Sequence, residues 1–95
     1  MAKLFEFNSV KELEEAVDNK DLYLSVEVYK QIKKAVNNKY KKVTAFSAKV
    51  SEHDILDFEL NYEQWSIALN TCIDVFSEND MFEECIDIQS IIKQL

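Results

Sequence analysis

Histidine is the side chain best suited to proton transfer near neutral pH, and this chain contains only one. His53 lies between Glu52 and Asp54 in a polar run. A general base needs a nucleophile or a substrate pocket within hydrogen-bond reach, and the sequence indicates neither. Polar runs of this kind are typical of solvated turns. We therefore expect His53 to be a turn residue without a catalytic role.

Two cysteines, Cys72 and Cys85, are the only thiols of the chain. Two thiolates do not complete the four ligands of a structural zinc site. Cysteine is among the most buried residue types, so we expect two reduced thiols in the core. A disulfide that joins their two segments is the alternative. The sequence gives no reason to expect a metal or another cofactor.

The carboxylates and the missing residue types narrow the class of protein. Glu14–Glu15, Glu83–Glu84 and Asp87 fall on faces predicted to be solvated, so no pair stands out as a general acid and base. The chain has no Gly, and glycine-rich phosphate loops are therefore excluded. It also has no Arg, the side chain that reads phosphate and guanine in bidentate fashion. We expect a protein that is not an enzyme.

The spacing of apolar residues predicts a strand and two helices in the N-terminal half. Residues 4–7 are short, aromatic and partly alternating, which is typical of a brief strand. Ser9 and Glu12 form a capping-box pattern before a helix over residues 10–19. The apolar face of this helix contains Val10, Leu13 and Val17.

A second helix is predicted over residues 26–38, after a connector formed by residues 21–24. Ser25 is its expected N-cap. Its apolar stripe contains Val28, Tyr29, Ile32, Ala35 and Val36, and its end is marked by Asn37, Asn38 and Lys39.

The hydrophobic period then changes from that of a helix to that of a strand. Residues 43–50 alternate, and the face predicted to be apolar contains Thr44, Phe46, Ala48 and Val50. Residues 55–61 alternate as well, with Leu56, Phe58 and Leu60 on one face and Asp57 and Glu59 on the other. The polar run 51–54 between them favours a β-hairpin. The charges on one face indicate a sheet that is covered on one side only.

Two further helices are predicted in the C-terminal part. The first runs over residues 62–77, begins at a second capping-box pattern of Asn61 and Gln64, and has an apolar stripe of Trp65, Ala68, Leu69, Cys72, Val75 and Phe76. The second follows a turn at 77–79 and places Phe82, Cys85, Ile88, Ile92 and Leu95 on one side. The sequence therefore predicts one α+β domain over residues 1–95, with two N-terminal helices, a β-hairpin and a C-terminal helical hairpin packed on one face of a small antiparallel sheet.

Charge is unevenly distributed along the chain. Residues 20–42 contain seven lysines against two acids, whereas residues 51–95 contain eleven acids against one lysine. An ordinary solvated surface is one interpretation of this layout. The functional interpretation is that the acidic half docks on a basic protein surface, if the two halves do not mix on the surface of the fold. The alternative is a nucleic-acid or nucleotide-binding segment, which the net charge of −7 opposes. Its candidate residues are Lys30, Lys33, Lys34, Lys39, Lys41 and Lys42.

The C-terminal helix resembles the second helix of the UVR motif, a helical hairpin of nucleotide-excision repair subunits and of some Clp-protease and arginine-kinase adaptors. The resemblance is carried by Phe82, Glu83, Cys85, Ile88, Ile92 and Leu95. Met81, Ile86 and Gln89 depart from the motif, which has an acid, an alanine and an arginine there. The resemblance implies association through helices with a partner or a twin subunit. In composition, the whole chain also looks like small accessory proteins of phages or mobile elements.

These observations predict a small regulator or inhibitor that binds a larger protein through its C-terminal helical hairpin, and a homodimer is an alternative. The expected partner-binding residues are Asp80, Glu83, Glu84, Asp87 and Trp65. Trp65 shares a stripe with core residues, so a core position is the competing interpretation of it. No apolar run approaches the ~18 residues that span a membrane, and the N-terminus lacks the features of a signal peptide. We therefore expect the protein in the cytosol.

Overall fold

Three strands and four helices make up the fold, as a computed structural model that describes residues 3–52 and 55–95 shows. The elements are β1 (Leu4–Phe7), α1 (Val10–Asp18), α2 (Leu22–Asn37), β2 (Lys42–Val50), β3 (Ile55–Asn61), α3 (Tyr62–Glu78) and α4 (Phe82–Gln94). The α+β class, the strand at 4–7 and the helical pair at the C-terminal side are confirmed. His53 and Asp54, which were predicted to form the hairpin turn, lie outside the described residues.

The sheet has the strand order β1-β2-β3. Strands β2 and β3 form the predicted antiparallel hairpin, and Phe46 lies opposite Phe58. Strand β1 adds to the free side of β2 in parallel, with Leu4 opposite Ser47. The sequence predicted the strand but not this pairing, because parallel partners are joined by long crossovers that leave no local signal.

A β-bulge corrects the predicted inner face of β2. The pairing with β3 shifts between Thr44 and Phe46, so Ala45 is an extra residue without a partner. The bulge reverses the alternation: Val43 precedes it on the side of the core, and Phe46 follows it there. Thr44 pairs with Glu59 on the other side of the sheet, so its predicted place on the apolar face is wrong. A single inserted residue has this effect because side chains alternate with a period of two.

The start of α2 also differs from the prediction. Asp21 is its N-cap, and one oxygen of the Asp21 carboxylate accepts the backbone N–H groups of Tyr23 at 2.9 Å and Leu24 at 3.2 Å. Ser25, the predicted cap, is instead buried inside the first turn. Both residue types are good caps. With Asp21 as the cap, Leu22 and Leu24 lie in the first turn of α2 and pack into the core.

The cap of α1 is confirmed, whereas its predicted apolar face is only partly correct. The Ser9 hydroxyl accepts the backbone N–H of Glu12 at 3.1 Å. Leu13 is buried, but Val10 and Val17 are exposed. This short helix lies at the margin of the core, and only a narrow strip of it is covered.

Two clusters of buried side chains form the core. The sheet cluster lies between the inner face of the sheet and the first two helices and contains Leu13, Leu24, Ala45, Phe46, Ala48 and Val50. The helical cluster joins α2, α3 and α4 and contains Ile32, Ala35, Trp65, Leu69, Cys72, Val75, Phe76, Cys85, Ile88 and Ile91. Val28 and Leu60 pack against both clusters.

Among residues 3–52 and 55–95, four that are not glycine adopt positive φ angles where helices or strands end. They are Lys20 (54°), Lys39 (59°), Ser51 (53°) and Asp80 (58°). This left-handed conformation is the usual way to end a helix, and glycine adopts it without the steric cost of a Cβ atom. Because the chain contains no glycine, each of these turns carries that cost.

Candidate protein-binding surface

Helix α4 packs against the rest of the protein through one face. Cys85, Ile88 and Ile91 are buried on this face. The Cys85 thiol lies 3.6 Å from the carbonyl oxygen of Ile73 on α3. The predicted place of Phe82 in the apolar stripe is wrong, and Ile91 is buried although the stripe did not include it. The buried side chains centre this face on Ile88, and Phe82, the first residue of α4, lies outside it.

The opposite face of α4 exposes two large apolar side chains. Phe82 is 58% exposed and Ile86 is 68% exposed. They are four residues apart and therefore neighbours on the helix surface. Glu83 and Asp80, both exposed, lie next to them in the chain. We call these four residues, Asp80, Phe82, Glu83 and Ile86, the outer patch.

The acids at the start of α4 occupy different environments. Glu83 and Glu84 lie in the first helical turn, where the helix dipole favours negative charge. Asp80 lies before the helix, in the left-handed turn. Glu84 is half-buried, and among the described residues its Oε2 atom has no hydrogen-bond partner. Only Asp80 and Glu83 are therefore fully presented to solvent.

Asp87 is engaged within the protein and links α4 to α2. The Tyr29 hydroxyl donates a hydrogen bond to the Asp87 carboxylate, and the Lys33 ammonium lies 2.9 Å from the same oxygen. The Lys33 ammonium also lies 5.8 Å from the centre of the Tyr29 ring. Two of the three contacts converge on one carboxylate that is still 35% exposed, so the predicted solvated position of Asp87 is only partly correct. We call Tyr29, Lys33 and Asp87 the α2–α4 link.

The contacts of the α2–α4 link shift the pKa values of its three members. The hydrogen bond from Tyr29, and next the one from Lys33, lower the pKa of Asp87. The same bond to Asp87 raises the pKa of Lys33. Burial, followed by the hydrogen bond to Asp87, raises the pKa of Tyr29. Each of the three shifts favours the protonation states in which Tyr29 is neutral and Lys33 and Asp87 are charged.

Trp65 belongs to the core. Its side chain is 1% exposed, and its indole N–H donates to the carbonyl oxygen of Leu60 at 3.1 Å. The buried indole thus has both apolar neighbours and a hydrogen-bond acceptor, as a core tryptophan requires. The core interpretation is confirmed, and Trp65 is not accessible as a partner-binding residue in this fold.

Most of the candidate nucleic-acid-binding lysines contact other side chains of the protein. Lys42 pairs with Glu59 at 2.8 Å, and Lys33 pairs with Asp87 as described above. Lys30 lies 4.0 Å from Glu27. Lys41 lies 4.3 Å from the centre of the Tyr62 ring. Lys34 and Lys39 are exposed, and the part of the chain that the structure describes gives them no ion pair.

These pairs show that the two charged halves of the sequence mix on the surface. Lys33 and Lys42 come from the basic segment, and their acidic partners come from the acidic half. The sequence could not reveal these pairs, because they form only when α2 packs on α4 and β2 pairs with β3. The other acids of α4, Glu83 and Glu84, lie at its N-terminal end.

Cys72 and Cys85 are free and buried, as predicted. Burial raises the pKa of the Cys72 thiol to about 12, so this thiol is protonated and unreactive at neutral pH. Within residues 3–52 and 55–95, no group of three or more His, Cys, Asp or Glu side chains could hold a metal ion.

Comparison with known proteins gave no match among family models, curated proteins or solved structures. None of the described helices is long and apolar enough to cross a membrane. The architecture describes the protein as a small α+β domain whose last helix carries an exposed apolar and acidic patch.

Proposed function

We propose that this protein is a non-enzymatic regulator or inhibitor that binds a larger protein through the outer patch of α4. The observation that supports the proposal most strongly is the exposure of Phe82 and Ile86 on adjacent turns of one helix. Phenylalanine is enriched at protein interfaces, and apolar residues four apart are typical of a helix that docks in a groove. The patch lies on the side of α4 that faces away from the core.

The acids of the outer patch define the chemistry of the partner. Asp80 precedes the apolar pair and Glu83 lies between its two members, and neither acid has a lysine next to it in the sequence. A matching site would be an apolar groove with lysine or arginine side chains at its rim. Helices commonly dock in such grooves through residues spaced by three and four. Affinity for the partner should decrease as salt concentration rises.

The location and the oligomeric state are part of the same proposal. Two free thiols suit the reducing cytosol, where we place the protein. The resemblance of α4 to the UVR helix favours a partner that contributes helices of its own. A homodimer is the less favoured form, because a two-fold contact between outer patches would bring their acids together. No specific contact favours binding of nucleic acid by the lysines of residues 30–42.

Affinity capture with matched variants tests this proposal. The bait carrying both Phe82→Ser and Ile86→Ser should lose a partner that the unchanged protein retains, and Glu83→Lys should weaken it. Ile67→Ser is the control, because Ile67 is 72% exposed and lies on α3. Circular dichroism establishes that each variant is folded.

Two outcomes would contradict the proposal. In the first, the double variant and the Ile67 variant retain the same proteins to the same extent. In the second, the unchanged protein binds oligonucleotides at submicromolar concentration and physiological salt, and Lys34→Ala with Lys39→Ala removes that binding. The second outcome would move the functional surface to α2 and the loop that follows it.

A further inference from the structure

A cavity of about 220 Å³ lies between the sheet cluster and the helical cluster. Phe46 and Phe58 form its wall on the sheet, and Leu24 and Val28 form its wall on α2. Cys72 contributes to the wall on α3. The cavity therefore lies where the two halves of the core meet, a place distinct from the outer patch.

Small side chains on three separate elements account for this space. Ala16 of α1, Ala45 of β2 and Ala68 of α3 all line the cavity. The bulge adds Ala45 to the covered side of β2, where it is buried. Larger residues at these positions would bring the two clusters into contact. Cores are normally packed without voids of this size, so the space requires an explanation.

Several polar groups around the cavity are engaged by the protein. The Cys72 thiol donates to the carbonyl oxygen of Ser25 at 3.5 Å, and the Thr71 hydroxyl donates to that of Ile67 at 3.2 Å. One oxygen of the Asp21 carboxylate caps α2, as described above. The Ser25 hydroxyl also lines the cavity, so the interior suits a mainly apolar, uncharged ligand that carries at most a hydroxyl group.

The opening of the cavity is polar on one side. Lys20 and Asp21 line it there, next to the exposed Val17. The two side chains carry opposite charges, so together they bring no net charge to the opening. A hydroxyl group could remain in water at this point while an apolar body fills the interior.

We propose that this cavity binds a neutral apolar molecule of about eight to ten carbon atoms. The size follows from a comparison with engineered apolar cavities, since one of about 150 Å³ holds benzene. A ligand that binds only the folded protein raises its stability, so an apolar molecule in this space should stabilise the fold. The inference is independent of the proposed protein-binding function.

Titration with 1-octanol, followed by amide shifts in NMR spectra, tests the proposal. Saturable shifts are expected at Leu24, Ala45 and Ala68, together with a higher melting temperature. Ala68→Leu should fill the cavity and weaken 1-octanol binding at least tenfold. Asn70→Leu is the matched control, because it adds an apolar side chain to the exposed face of the same helix and should leave binding unchanged.

Two further variants serve as a second way to fill the cavity and as a test that the outer patch is not involved. Ala16→Leu fills the same cavity from α1 and replaces the first variant if Ala68→Leu does not fold. The double variant Phe82→Ser with Ile86→Ser should still bind 1-octanol. The proposal is overturned if the unchanged protein shows no saturable binding, or if folded cavity-filling variants bind as well as it does. Tighter binding of octanoate than of 1-octanol would overturn the assignment of a neutral ligand.

Discussion

Asp87 shows how one residue can have a structural role that its sequence context conceals. It lies in an acidic helix, and its neighbours in the chain suggest a solvated carboxylate. In the fold it accepts from Tyr29 and pairs with Lys33, so it holds α4 against α2. Charge reversal at Asp87 would therefore disturb the fold as well as the surface. For this reason, the variants that test the outer patch leave Asp87 unchanged.

We expect Asp87→Asn to lower the free energy of unfolding by about 1 kcal/mol at neutral pH, since it removes a charged acceptor and an exposed ion pair. The pKa of Asp87 is lowered in the folded state, so its contribution is fully present above the unfolded pKa of about 3.9. The contribution is lost as the pH falls through the lower, folded pKa. Urea unfolding at several pH values measures this dependence.

The control for this prediction is Asp74→Asn, which changes an exposed acid of α3. It should leave the unfolding free energy nearly unchanged throughout. If the Asp87 variant shows the same stability difference from the unchanged protein at pH 2 as at pH 7, the α2–α4 link does not act through the charge of Asp87.

Among the elements, the helix ends are the places where the missing glycines matter most. Lys39 follows α2 and has a φ angle of 59°, and its backbone N–H donates to the carbonyl oxygen of Val36 at 3.1 Å. A left-handed residue with a Cβ atom costs about 1–2 kcal/mol relative to the right-handed form. A glycine at position 39 should therefore remove part of this conformational cost.

Lys39→Gly is expected to raise the free energy of unfolding by about 0.5–1 kcal/mol, because the relief of strain exceeds the added entropy of the unfolded chain. Lys34→Gly, which lies inside α2, removes the same charge and side chain but should lower stability by about 1 kcal/mol. Thermal and urea unfolding measure both. Destabilisation by Lys39→Gly would show that the lysine side chain contributes more than its backbone conformation costs.

The elements themselves were largely predictable, whereas their exact starts and faces were not. Apolar spacing located the four helices and three strands of the described residues, because each element turns one side toward the core. The start of α2 was misplaced because Asp21 and Ser25 are both capable caps. The face of Thr44 was misassigned because a bulge has no signature in an alternating pattern. The parallel pairing of β1 has no local signal at all.

At the scale of the whole molecule, packing redistributes the charge that the sequence separates. The basic segment and the acidic half meet at Lys33 with Asp87 and at Lys42 with Glu59. Of the expected site, Asp80 and Glu83 are left exposed. Phe82 and Ile86 are exposed beside them, although the sequence did not identify these two as surface residues. The exposure of Ile86 could have been predicted, because this residue lies outside the apolar stripe of its own helix.

The central claim is that the outer patch of α4 contacts a partner protein. The most direct measurement is photo-crosslinking in the source cells, with a photoreactive amino acid at position 86 and, as a control, at the equally exposed position 67. We expect a discrete crosslinked product from position 86 that disappears on Phe82→Ser and decreases at high salt. No product from position 86, or the same product from both positions, would contradict the claim.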